Sequence, residues 1–230
     1  MRARRGESLS ALRQPMLDVI NLECVRGERQ LFAALGLRIL PGTCLHVAGE
    51  NGAGKTSLLR ILVGLLEPTA GVVRWRGEDI RRLREEFWRE LVYVGHTNGI
   101  KDDLTALENV RFAWALRGAH GAARLHEDDA GAALQALGLG GRASTPVRFL
   151  SQGQRRRVAL ARLLLAPAPP LWVLDEPFVA LDARGVAVLS ARIAQHIGAG
   201  GIVALTTHQE VPLPGPVQRL ELAPVRAEAA

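Results

Sequence analysis

The sequence predicts an α/β domain on a mainly parallel sheet, with an antiparallel β part near its N-terminus and a helical insert. Three observations carry this. A glycine-rich turn, "GENGAGKT", lies between a strand-like run and a helix-like run. Two further short apolar runs, "LWVL" and "IVAL", read as strands buried on both faces. Strands alternating with helices imply parallel pairing.

Composition bounds the rest. Of 230 residues, 48% are hydrophobic and 23% charged, which suits a globular domain with a substantial core. Aromatic residues make up 4%, too few for a base-stacking surface, which argues against nucleic acid as a partner. The formal charge of +6 suggests an anionic neighbour; nucleotide, anionic lipid and nucleic acid all qualify on charge alone. Cys24 and Cys44 form no C-x-x-C pair and read as buried thiols. No apolar run approaches the length of a membrane span. Residues 1–15 are basic without the apolar core of a secretory signal, so they read as a loose tail, or Met16 is the true start. The Ala-rich end reads as frayed.

Along the chain, 17 to about 77 reads as β-rich. Within it "TCLHVA", Thr43 to Ala48, alternates and is β-prone, so it is a strand. "KTSLLRILVGLL" reads as a helix with Leu58, Leu59, Leu62, Leu65 and Leu66 on one side. The turn between them fits G-x-x-x-x-G-K-[ST]. Its nucleotide-binding candidates are Gly49, Glu50, Asn51, Gly52, Ala53, Gly54, Lys55, Thr56 and Ser57. Gly52 and Gly54 let the backbone curl and turn its N–H groups inward. The following helix presents its positive end to the same point. Lysine occurs only at Lys55 and Lys101 among 29 lysines and arginines. A compact ammonium reaches β- and γ-phosphates where a planar fork is too wide, so the exception at Lys55 has a chemical reason. Thr56 supplies a hydroxyl for Mg²⁺.

A mostly helical insert spans roughly 96–167, with glycine breaks at Gly118, Gly121, Gly131 and Gly138 to Gly141. "LSQGQRRRVALARLLL" lies at the end of it, with Val158, Ala161, Leu164 and Leu165 as an apolar helix face and Ser151 as cap. "RRR" at 155–157 reads as a solvated face. The strand "LWVL" then ends in Asp175 and Glu176, a costly pair at the carboxyl end of a buried strand unless it has partners. Asp175 suits Mg²⁺ and Glu176 suits polarising an attacking water. After "IVAL" comes His208, within reach of a γ-phosphate.

These motifs together resemble the ATP-binding subunits of ABC transporters. "LSQGQ" looks like that family's signature, with Gln152 in place of the first of its two glycines, and Ser151, Gly153 and Gln154 matching. P-loop, signature, acidic strand end, "ALD" to Asp182 and "TTH" follow in the family's order over roughly 17–222. "VGHTNGIKDDLTALENVRF" and "GGIVALTTHQ" are similar to the haem-exporter branch of cytochrome c biogenesis.

The resemblance implies ATP and Mg²⁺ as ligands, a head-to-tail homodimer in the ATP-bound state, and separate transmembrane permease subunits. It also implies peripheral contact with the cytoplasmic face of the inner membrane. Ser151, Gly153, Gln154 and Asp182 would then serve the partner's nucleotide. It divides the chain into a tail (1–15), an ATP-binding core (16–95 and 168–230) and a helical signature subdomain (96–167). A different cargo, such as a drug or lipid, is the alternative. An ATP-gated clamp on nucleic acid or the ribosome is disfavoured, because one half-site and no heptads are present.

Two departures stand out. His96 stands where the family has glutamine. An imidazole can make one such hydrogen bond, with a pH dependence an amide lacks, so His96 joins Glu176 and His208 as a catalytic candidate. No aromatic residue stands where adenine is expected to stack; Arg26 offers a guanidinium plane instead. No C-x-x-C-H haem motif is present, so haem enters only through the resemblance.

Overall fold

The computed structural model describes residues 16–118 and 127–223. The basic tail, the break expected at Gly121 and the Ala-rich end lie outside the described residues. The chain opens with a hairpin, β1 (Leu17–Arg26) and β2 (Arg29–Ile39), then β3 (Cys44–Gly49) and α1 (Lys55–Leu62). Next come β4 (Ala70–Trp75), β5 (Glu78–Asp79), α2 (Ile80–Leu83), α3 (Glu85–Arg89) and β6 (Leu91–Val94). The insert holds α4 (Ala106–Gly118), α5 (Glu127–Ala136) and α6 (Gln152–Ala161). The chain closes with β7 (Leu171–Asp175), α7 (Ala183–Gly198), β8 (Ile202–Thr206) and β9 (Val217–Leu222).

Two sheets result. One is antiparallel, ordered β2-β1-β4-β5, and the other is parallel, ordered β6-β7-β8-β3-β9. Every residue of β7 and β8 is buried, as expected of central strands in a covered parallel sheet. Successive residues face opposite layers. Leu171, Val173, Ile202 and Ala204 pack in the core shared with α1 and the antiparallel sheet. Trp172, Leu174, Val203 and Leu205 pack in the core shared with the helical insert and α7. This period of two is the reason one strand can serve two layers.

The N-terminal half of the helix at the glycine turn follows the expected pattern, and its end does not. Leu58, Leu59, Ile61 and Leu62 are buried, each contributing about 1.5–3 kcal/mol of burial before entropy is counted. The helix stops at Leu62, because Gly64 adopts a φ of 71° and turns the chain; Leu65 is 50% exposed rather than part of the apolar stripe. Gly131 is likewise no break, since it lies inside α5.

The topology fixes where chemistry can occur. β7, β8 and β3 are adjacent, and parallel, so their carboxyl ends open on one edge. Ligands bind at such an edge in open α/β sheets.

Candidate nucleotide site

At that edge the turn from β3 to α1 is a P-loop in geometry. Gly49 has a φ of 137°, and a Cβ there would lie 2.5 Å from the Leu222 carbonyl oxygen on β9. Only glycine allows the loop to start so close to the neighbouring strand. Gly54 precedes the helix in the left-handed conformation and provides no side-chain cap, so the first N–H groups of α1 are free to face an anion. The Lys55 ammonium donates to the Gly49 carbonyl at 2.7 Å and the Glu50 carbonyl at 3.0 Å, which holds it across the mouth of its own loop. A cleft of about 380 Å³ opens there, lined by residues that include Asn51, Gly52, Gly54, Lys55, Thr56 and Ser57 of the loop. His96, Asp175, Glu176 and His208 line the same cleft.

Three strand ends and one helix position the polar groups. The Thr56 hydroxyl donates to Asp175 Oδ2 at 2.9 Å and the Thr206 hydroxyl to Asp175 Oδ1 at 2.7 Å. The buried Asp175 carboxylate is therefore fixed by hydroxyls from α1 and β8. Thr56 and Asp175 offer hard oxygens side by side, the donor type that suits Mg²⁺ completed by waters and phosphate oxygens. Among the described residues no cluster of three His, Cys, Asp or Glu side chains could hold a metal by itself.

Glu176 follows with a φ of 50°. Its N–H donates to the Thr206 hydroxyl at 2.9 Å, and its Oε2 accepts from the His208 backbone N–H at 3.2 Å. Its Oε1 is buried with no hydrogen-bond partner, and the His208 Nε2 lies 3.5 Å from it.

Other sequence candidates fall elsewhere. Ser151 caps α6 in a reciprocal box: its hydroxyl accepts from the Gln154 N–H at 3.3 Å, and its own N–H donates to Gln154 Oε1 at 2.9 Å. Gly153 lies against the Ala180 turn, where a Cβ would be 3.2 Å from the Ala180 carbonyl oxygen. Asp182 caps α7 by accepting from the Gly185 N–H at 2.8 Å, and pairs with Arg157 at 3.2 Å. That backbone bond first, and Arg157 with it, holds the Asp182 carboxyl below the usual carboxylate range. None of these four residues lines the chain's own cleft. Arg26 is also apart from it, donating to the Glu67 carbonyl at 3.4 Å. Leu31 of β2 does line the cleft, and the Arg29 guanidinium approaches Gly52. Neither carried a motif that would single it out.

The arginine run is not a solvated face. Arg156 is 7% exposed, and Arg157 pairs with Asp182. Arg155 donates to the Leu150 and Arg148 carbonyls and pairs with Asp102 at 3.1 Å. Three like residues in sequence point in three directions on a helix, and one points inward.

A second concavity, about 530 Å³, lies between the core and the helical insert. Trp88, Phe112 and Leu116 line it and remain 42%, 40% and 68% exposed. Singly exposed apolar residues are ordinary, whereas three in one groove mark a contact surface.

Comparison with known proteins agrees with this geometry. The ABC transporter family profile matches residues 32–179. The cytochrome c biogenesis ATP-binding export protein CcmA of Aromatoleum aromaticum is 51% identical over 213 residues, covering 93% of this chain and 98% of the relative. The chain belongs to the ABC transporter family, in its CcmA group. The CcmA protein of Dechloromonas aromatica is 52% identical, covering 90% of this chain and all of the relative. Among solved structures, a bacterial ABC transporter cassette in dimeric form superposes with a TM-score of 0.75 at 26% identity, covering 92% of this chain and 100% of that one. A dimeric ATP-binding cassette in a post-hydrolysis state, bound to ADP and Pi, gives 0.73 at 26% identity, covering 84% and 88%. The fold described above is thus that of an ABC ATPase cassette.

Proposed function

We propose that the chain is the ATP-hydrolysing subunit of a membrane ABC complex that exports or releases haem in cytochrome c biogenesis. The names of its CcmA relatives support the pathway. The placement of Glu176 carries the chemistry: a buried carboxylate oxygen without a partner, beside His208, at the mouth of a P-loop cleft.

Each side chain then has a task. The P-loop N–H groups and Lys55 hold the β- and γ-phosphates, and Lys55 exchanges loop carbonyls for phosphate oxygens. Thr56 and Asp175 would hold Mg²⁺, which when bound spreads the phosphate charge. Glu176 orients and polarises the attacking water. His208 positions the γ-phosphate, and His96 takes the place of the family's glutamine on the same wall. Arg26 lies outside the cleft on the Glu67 carbonyl and would leave that contact to offer its guanidinium plane to the base.

Ser151, Gly153, Gln154 and Asp182 do not line their own cleft, and in this reading they serve a nucleotide on a second copy. Two copies packed head to tail would place the positive end of α6 against that γ-phosphate. The dimeric forms of two structural relatives support such a pair. ATP holds the pair closed and hydrolysis releases it.

No described helix is long and apolar enough to cross a membrane. The work of the cycle therefore reaches the bilayer through separate permease subunits, with the chain peripheral on the cytoplasmic face of the inner membrane. The groove around Trp88, Phe112 and Leu116 is the dock for a permease helix. The net charge of +6 favours the anionic leaflet.

Glu176→Gln tests the reading. The variant should bind ATP like the parent and stay paired. Its hydrolysis should fall on the order of a hundredfold or more. Hydrolysis at the parental rate would refute the assignment.

A further inference from the structure

We infer that Arg156 is a positioning residue that ties the Glu176 carboxylate to the seating of the signature helix α6. The inference rests on the reading of Glu176 as the group that polarises water, and goes beyond it.

The Arg156 guanidinium makes four contacts, all to neutral acceptors. Nη1 donates to the Gly95 carbonyl at 2.7 Å and to Asn98 Oδ1 at 3.1 Å. Nη2 donates to the Asp175 carbonyl and to the Glu176 carbonyl, the latter at 3.0 Å. Gly95 immediately precedes His96, Asp175 ends β7 and Glu176 follows it. One side chain on α6 therefore grips the backbone of both strand ends that carry cleft residues. Burial of a cation that touches no carboxylate is costly. A neutral residue could fill the same space at less cost, so the forked, permanently charged donor is there for its geometry.

The backbone of Glu176 shows what the geometry does. A φ of 50° is uncommon for a residue with a side chain and is held at an energetic cost. Such a conformation persists only when the surroundings over-determine it. Here the two peptide groups flanking the Cα are each held: the N–H by Thr206 of β8, and the carbonyl by Arg156 of α6 at 3.0 Å and by the Val179 N–H of the following turn at 3.3 Å. Without Arg156 the carbonyl keeps only the longer bond from Val179, inside its own turn, so the turn is no longer tied to α6 and the carboxylate shifts from its place. The same helix is capped by Ser151, one turn and a little more from Arg156. A rigid helix transmits a shift at its start to the carbonyl of Glu176.

A double-substitution cycle tests this. Arg156→Met and Glu176→Asp are made singly and together in the full chain. Single-turnover ATP hydrolysis is measured and expressed per bound nucleotide, so that misfolded protein does not count. Arg156→Met should slow hydrolysis on the order of a hundredfold, with ATP affinity within about twofold of the parent. In the Glu176→Asp background, where the carboxylate is already displaced, the same change should cost less than about threefold. Equal losses in the two backgrounds, or no loss in the parent, would overturn the inference. If Arg156→Met fails to bind nucleotide, Arg156→Lys, which keeps charge without the fork, runs the same cycle under the same criterion. Glu176→Asp alone at the parental rate would instead overturn the reading of Glu176.

Discussion

Glu176 holds two unfavourable features at one residue: a left-handed backbone and a buried carboxylate oxygen without a hydrogen-bond partner. Both cost stability, and both are removed by glycine. Glu176→Gly should therefore raise the unfolding free energy by about 1 kcal/mol in urea titration while abolishing hydrolysis. A variant less stable than the parent would show that the backbone is not strained. Residues of this kind are legible in sequence by type, because two carboxylates after a buried strand demand a reason. Arg156 is not legible. Its neighbours Arg155 and Arg157 are chemically identical, and only the rotation of α6 sends one guanidinium under the strand ends. Lys55, by contrast, is fixed by contiguous residues alone, since a phosphate loop is a local structure.

Helix α7 carries a second buried titratable group. His196 stacks on Trp172 of β7, with ring centroids 3.9 Å apart, and its Nε2 lies 3.2 Å from the Pro170 carbonyl. Burial, with the nearby Arg192 cation adding to it, pushes the imidazole pKa from 6.5 down to about 4. The unfolded chain thus takes up a proton as pH falls below 6.5 while the folded chain does not until about 4. Stability is complete above that window and is lost through it, by about 3 kcal/mol at its acid end. His196→Phe, which keeps the stack, should flatten the fall in chemical stability between pH 6.5 and 4; an unchanged slope would place the acid sensitivity elsewhere.

Elements such as β7 and β8 could be read from sequence because a strand buried on both faces is a short apolar run with polar ends. The end of α1 could not. "LVGLL" continues the leucines past Gly64, and pattern alone does not reveal that the glycine turns the chain. Gly131 misleads in the opposite sense, because a lone glycine in a helix costs only about 1 kcal/mol and packing overrides it.

At the scale of the whole molecule, two layers meet on one parallel sheet. The layer holding α1 and the antiparallel sheet carries the P-loop. The layer holding α6 and α7 carries the signature and the Asp182 cap. Within one chain the signature residues and Asp182 do not line the P-loop cleft, which is why the proposed closed site draws on a second copy. Gly153 packed on Ala180 joins the signature to the turn before Asp182. Motif order alone lists P-loop and signature in one line; the expectation that they serve different copies comes from the family resemblance.

The central claim is that ATP, seated on the P-loop of one copy, closes the pair. Sedimentation velocity of the Glu176→Gln chain in MgATP, with and without Lys55→Ala, measures it directly. The account predicts an ATP-dependent shift from one copy to two with Lys55 present, and no shift with alanine at 55. Equal pairing with and without Lys55, or no pairing in either, would contradict it.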